Sequence, residues 1–294
     1  MSHKKRNWVE YNRKQIKEGE ITLWVDQELL RSPYCEQKGR GRPKFSDQIL
    51  IVGLSLKIAY NLSYRRLQGF MTSLFALLEL STPVPHYTLY SKRMKALHLP
   101  KISNKRPSHI LVDASGVKVF GEGEWKVKVH GTDKRRTWVK LHIGVDSNSQ
   151  DVMAVRATPN TVGDSTMLPE VLEACPKTVR TVTADGAYDG LPCRAFLDDR
   201  GIEDIIFPPK NAVPRPEPAM RNRNQMLAAM EALGGGSEAR AILKKLTGYH
   251  KRSLVETAFS RLKRRFGERF SGRRMENISV EAHMKFWILN KQAA

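Results

Sequence analysis

The hydrophobic period of the chain changes at residue 109, and that change limits the fold more than any other feature. Ahead of it, apolar residues return at helical spacing. Ile49, Leu50, Val52, Leu54 and Leu56 follow Ser46, which is placed to cap a helix running to about Tyr60. Asn61-Leu62 breaks that helix, Ser63 opens a second through about Glu79, and Ser81-Thr-Pro-Val-Pro85 turns the chain into a third, from about Tyr87 to Leu97. Beyond residue 109 the period is two. Ile110-Leu-Val112 leads into Asp113, Val117 and Val119 continue the alternation, and Val139, Leu141, Ile143 and Val145 repeat it cleanly. Val152 to Ala157 follows a turn at Asp146-Ser-Asn148. A helix then starts at Asp164 and ends near Ala174, and a strand from Val179 to Ala184 ends at Asp185. Asp189 is expected to cap a short helix from Gly190 to about Arg200, and Ile202 to Phe207 reads as one more strand. Strands alternating with helices imply an α/β sheet covered by helices, with a helical region in front.

After residue 207 the alternation stops. Pro208, Pro209, Pro214, Pro216 and Pro218 mark an insertion, with two short helices on either side of Gly234-Gly-Gly236. The last segment with a strong helical pattern lies between Gly248 and Gly267. At about 100° per residue, Tyr249, Arg252, Glu256, Ser260 and Lys263 fall on one strip. Val255, Ala258, Phe259, Leu262 and Phe266 form an apolar stripe beside it, suited to a core. Taken alone, Glu256 is an ordinary i,i+4 partner of Arg252 on an amphipathic helix.

Charge separates the chain into three. Basic residues outnumber acidic ones 20 to 8 over residues 1–108 and 18 to 7 over 209–294, whereas residues 109–208 hold 12 against 15. The net charge of +20 calls for a polyanionic partner, and two basic wings around an acidic middle suit an enzyme that grips nucleic acid with its flanks. Residues 1–36 read as a short arm and a docked segment. Lys38-Gly-Arg40-Gly-Arg42-Pro-Lys44 follows, either an AT-hook-like tripeptide for a narrow minor groove or a basic linker. The three helices after it suit a helix-turn-helix-like module, with Thr88, Ser91, Lys92, Arg93 and Lys95 on the last of them, or a plain helical domain with a solvated basic face. Cys35, Cys175 and Cys193 have neither the number nor the spacing of a disulfide framework or a zinc site. The opening Met-Ser-His-Lys-Lys-Arg has no apolar core behind it and does not read as a signal peptide, and no apolar run is long enough to span a bilayer. A cytoplasmic, nucleoid-associated protein is the expectation.

Two aspartates, Asp113 and Asp185, end apolar strands, and in an open α/β sheet such positions line the ligand crevice. A desolvated carboxylate there needs a compensating charge, and a divalent cation is one choice. With Glu256 as a third carboxylate, two ions about 4 Å apart could be held. Singly, each Asp is as well explained as a strand-end turn residue or cap, as Asp146, Asp164 and Asp189 are.

The combination has a counterpart. Ala184-Asp185-Gly186-Ala187-Tyr188-Asp189, together with Tyr249-x2-Arg252-x3-Glu256-x6-Lys263, resembles the second and third signature blocks of DDE transposases, the enzymes encoded by bacterial insertion sequences. Asn7-Trp-Val-Glu-Tyr-Asn12, Leu23-Trp-Val-Asp26 and Leu62-Ser-Tyr-Arg-Arg-Leu-Gln-Gly69 extend the likeness over nearly the whole chain, although such proteins are expected to run somewhat past Ala294.

The resemblance implies a ribonuclease-H-like mixed sheet flanked by helices, with Asp113, Asp185 and Glu256 as a catalytic triad binding two Mg²⁺ ions, for which Mn²⁺ may substitute. It implies DNA contacts by Tyr249, Arg252 and Lys263, to which the basic stretches add Arg40, Arg42, Lys92, Arg93, Arg264 and Arg265. The expected organisation is an arm and basic linker (1–45), a helical DNA-binding domain (46–107) and a catalytic domain (108–294) with a helical insertion at about 208–247. The implied activity is cleavage at the terminal inverted repeats of an insertion sequence and joining of the 3′-hydroxyl to target DNA. The partners are double-stranded DNA and a second copy of the chain when ends are paired. A non-catalytic repressor derived from a transposase and a structure-selective nuclease are the alternatives.

Overall fold

The structure is a computed structural model and describes residues 7–23, 25, 27–35, 44–119 and 138–293. The chain divides into two compact units, residues 1–100 with 287–294 and residues 101–286. Arg40, Arg42 and the Arg-Gly-Arg-Pro stretch lie outside the described residues, as do Trp24 and Asp26.

The first unit is helical. Its elements are α1 (Trp8–Glu18), α2 (Gln27–Arg31), α3 (Asp47–Ala59), α4 (Tyr64–Leu77) and α5 (Tyr87–Arg93). Ser46 and Ser63 cap α3 and α4 as expected, their hydroxyls accepting from the backbone N–H of Ile49 and Arg66 at 3.3 Å. Each such cap is worth about 1 kcal/mol. α3 is buried nearly all round, and Tyr90 of α5 packs so closely on Gly53 that a Cβ there would meet its hydroxyl at 2.3 Å. The third helix is shorter than expected, because Met94–Ala96 tighten into a 3₁₀ turn.

The second unit is a six-stranded sheet with helices on it. Its strands are β1 (His109–Val119), β2 (Trp138–Asp146), β3 (Val152–Pro159), β4 (Thr181–Ala184), β5 (Glu203–Ile206) and β6 (Arg269–Phe270). Between and after them run α6 (Leu168–Glu173), α7 (Leu191–Asp198), α8 (Arg221–Ala232), α9 (Gly236–Leu246), α10 (Ser253–Phe266) and α11 (Met275–Ala293), the last divided between the two units. The strand order is β3-β2-β1-β4-β5, with β6 beside the end of β1. β1, β2 and β3 are antiparallel neighbours, whereas β1, β4 and β5 run parallel. This is the ribonuclease-H-like mixed sheet.

Alternation along the strands assigns the two faces. Ile110 and Val112 of β1, with Val182 and Ala184 of β4, pack against Leu168, Val171 and Leu197 of α6 and α7. Leu111, Asp113 and Val117 point to the opposite face. α10 lies against β1 and β2, with its apolar stripe Val255, Ala258, Phe259 and Leu262 buried. Covering both faces explains why the central strands read as nearly unbroken apolar runs. Among the described residues no helix is long and apolar enough to cross a membrane.

Candidate active site

The parallel pairing of β1 with β4 brings the two aspartates together. Its register ends at Leu111↔Thr183, and two residues further on each strand stand Asp113 and Asp185. Asp113 does not end its strand, as the sequence suggested. β1 continues to Val119 because β2 pairs with it throughout, from Ile110↔Asp146 to Lys118↔Trp138. Asp113 thus sits where β4 stops and β1 goes on, the position at which open α/β sheets carry their ligand crevice. Asp185 follows β4, one carboxylate oxygen accepting from the backbone N–H of Ala187 at 2.8 Å.

The helix after the insertion closes the site. Gly248 adopts a left-handed conformation at φ +70°, and Tyr249–Arg252 form a 3₁₀ turn before α10 begins at Ser253. Tyr249 and Arg252 therefore precede the α-helix, where a single continuous helix was expected. The turn aims the Arg252 guanidinium into the crevice, where it donates to Asp113 at 3.1 Å and to Glu256 at 2.7 Å. Burial pushes the Asp113 carboxyl above its usual 3.8; the N–H of Ala114 and Arg252 oppose this, while Asp185 and Glu256 add to it.

The expectation that Asp113, Asp185 and Glu256 hold two Mg²⁺ ions, or Mn²⁺, is corrected by this geometry. Among the described residues, no three His, Cys, Asp or Glu side chains group in a way that could hold a metal ion. Arg252 stands between Asp113 and Glu256 and supplies the compensating positive charge, Asp185 is engaged by its own turn, and the Glu256 side chain is 59% exposed. Charge compensation was rightly required at Asp113, and a guanidinium meets it.

The remaining expected contacts are dispersed. Lys263 is half-buried near the end of α10, Arg264 donates to Ser260 at 3.4 Å, and Arg265 is exposed. In the helical unit Lys92 is exposed, whereas Arg93 holds the carbonyl of Phe45 and the Asp47 carboxylate, so it fastens α5 to the start of α3.

Two groups of residues were missed by sequence reasoning. Asp189 does not cap the start of α7, since Gly190 holds that position. Its carboxylate instead receives the Arg194 guanidinium at 2.7 and 2.9 Å and Arg223 at 3.1 Å. Arg194 also grips Asp204 of β5 and the carbonyl of Ile206, and Asn222 donates to Asp204 at 2.8 Å. This buried network ties α8 of the insertion to the turn that carries Asp185. The second group surrounds Tyr249. Its ring meets Phe207 edge-on at 4.7 Å, and Lys244 of α9 lies 5.0 Å from the Tyr249 ring and 5.5 Å from that of Phe207. Arg240, one turn earlier, lies 5.4 Å from the Phe207 ring. Only the basic i,i+4 spacing on a predicted helix hinted at this pair.

The family described as Transposase DDE domain matches residues 104–291, and a second family of the same description matches residues 16–122. Among solved structures, the piggyBac transposase synaptic complex with hairpin DNA aligns over 92% of this chain and 78% of that chain, at 12% identity and a TM-score of 0.40. The Drosophila P element transposase strand transfer complex aligns over 67% and 48%, at 13% identity and a TM-score of 0.33. A pre-cleavage Mos1 transpososome aligns over 99% and 89%, at 10% identity and a TM-score of 0.24. With a family match over more than half its length, carried on a ribonuclease-H-like sheet, the chain belongs to the DDE transposases.

Proposed function

We propose that this transposase binds the terminal inverted repeats of an insertion sequence, cuts the phosphodiester at the element's ends and joins the freed 3′-hydroxyl to target DNA. The observation that carries the reading is the shared guanidinium. Arg252 brings Asp113 of a strand and Glu256 of a helix, distant in sequence, to one place beside Asp185. Acids with a cation among them, at the mouth of a crevice, suit in-line displacement at a phosphate, which rests on positioning and charge neutralisation.

In the first step the oxygen of water forms a bond to phosphorus, and the bond to the element's 3′ oxygen breaks. The proton of the water passes to a carboxylate and from there to the departing 3′ oxygen, which leaves as a hydroxyl. Asp113 is best placed as the acceptor, since burial raises its affinity for a proton. In the second step the 3′-hydroxyl takes the place of water and a target phosphate takes the place of the first. Arg252 neutralises the phosphate, with Tyr249 and Lys263 beside it. Lys92, Arg264 and Arg265 hold more distant DNA, and a second copy of the chain serves the other end. The test is strand cleavage of terminal-repeat DNA by Asp113→Ala, Asp185→Ala and Glu256→Ala. Cleavage is expected to vanish in all three while DNA binding survives, and retained cleavage in any one removes that residue from the site. A repressor that no longer cuts would show no nicking even in the parent chain.

A further inference from the structure

The insertion places two cations around the rings of Phe207 and Tyr249. Arg240 and Lys244 lie one turn apart on α9, where like charges repel. Both approach the ring of Phe207, which is 1% exposed, and Lys244 also approaches Tyr249. Among the described residues neither pairs with a carboxylate; Arg240 donates to the carbonyl of Pro208 at 2.7 Å, and Lys244 has the two rings. Burial, with Arg240 and Arg252 nearby, holds the Lys244 ammonium below its usual 10.5. A third cation, Arg252, is already shared by two acids. A protein core gains nothing from half-buried like charges without counter-ions, so an anion from outside is the missing component.

We propose that Arg240 and Lys244 form a phosphate subsite of the catalytic crevice, which takes a backbone phosphate of the DNA strand next to the one at Arg252. The proposal rests on the reading of the chain as a DNA-cutting transposase. It gives the helical insertion a role in holding substrate: α9 supplies the charges, and Phe207 and Tyr249 hold them in place through their ring faces. A rigid planar support suits a phosphate site, because it limits the freedom that a lysine would otherwise lose on binding. DNA is favoured over a free anion because the subsite is continuous, through Tyr249, with the crevice where the acids stand.

The test is equilibrium binding of the full chain to a mixed-sequence duplex over a range of salt, comparing the parent with Lys244→Gln, Arg240→Gln and Lys244→Arg. Each lost phosphate contact should reduce the slope of log K against log salt by about 0.9. Both glutamine variants should show that reduction and melt no lower than the parent, and Lys244→Arg should restore the slope. Cleavage of terminal-repeat DNA should fall about tenfold in the glutamine variants, the loss expected of roughly one charge-assisted contact. Unchanged slopes in both glutamine variants would overturn the subsite. So would a thermal shift with inorganic phosphate that Lys244→Gln abolishes while the duplex slope stays the same, which would assign the site to a free anion. The slope reads the subsite whether or not the chain cuts. Failure of the proposed function appears separately, as cleavage retained by Asp113→Ala.

Discussion

Two clusters of arginine and acid flank the insertion, and they are built on opposite principles. In the first, Arg194 and Arg223 meet Asp189 and Asp204 with side chains at most 5% exposed, and Asn222 takes the oxygen of Asp204 that Arg194 leaves. Charges balance, and the Asp189 and Asp204 carboxylates are matched by donors. In the second, Arg252, Lys244 and Arg240 crowd around Tyr249 and Phe207, half-buried, and among the described residues only Arg252 meets acids. A closed network of the first kind holds a fold in register. Among the described residues, an open one of the second kind leaves cations without acids, as the proposed phosphate subsite requires.

The comparison can be broken most forcefully at Arg194. Replacing it with Ala leaves the Asp189 and Asp204 carboxylates buried without their shared cation, which costs about 3–5 kcal/mol. Chemical denaturation should show that loss, and a change under 1 kcal/mol would mean the network is not the brace described here. Arg252→Ala should do the reverse. Strand cleavage is expected to fall by about a hundredfold or more, the cost of one preorganised cation at a reacting phosphate, while the melting temperature hardly moves. A large drop in stability with cleavage preserved would return Arg252 to an ordinary helix partner of Glu256.

A smaller effect separates the clusters by pH. Because the Asp113 carboxyl is raised above 3.8, its charged form is disfavoured in the folded chain. Asp113→Asn should therefore be at least as stable as the parent at neutral pH. That advantage should shrink as pH falls through the raised value towards 3.8, where the parent carboxyl is protonated too. Melting curves over acid pH check the sign, and a variant less stable than the parent at neutral pH would contradict it. The smallest effect belongs to the exposed end of α10. Arg264→Ala and Arg265→Ala should each reduce the salt slope of DNA binding by about 0.9 at most and leave stability within about 0.5 kcal/mol.

What could be read from the sequence is what local rules determine. Ser46 and Ser63 announced their helices because a capping hydroxyl acts within three residues. The helices around Gly234–Gly236 and the strands before residue 207 followed from periodicity alone. Asp113 was misplaced as a strand end because a strand's length is set by its neighbour, and β2 is longer than β4. The 3₁₀ turn at Tyr249–Arg252 depends on the left-handed Gly248 and on a ring of another element, Phe207, which no spacing reveals. Arg194 and Arg223 were passed over because arginine is ordinarily a surface residue, and only tertiary partners make its burial tolerable. The metal expectation had the same origin. The sequence correctly required a positive charge at Asp113, but identifying its source needed the position of Arg252.

The arginine that bridges Asp113 and Glu256 spans 139 residues of chain, nearly half its length. Contacts of such separation close late, since the intervening chain must first lose its freedom, and synthesis delivers the N-terminal partner long before the C-terminal one. An emerging polypeptide can thus complete its capped helices, and most of its sheet, while Asp113 still lacks the guanidinium that completes its crevice. Under the proposed function, cleavage would then require the segment from Gly248 onward to have docked, since it carries both Arg252 and Glu256.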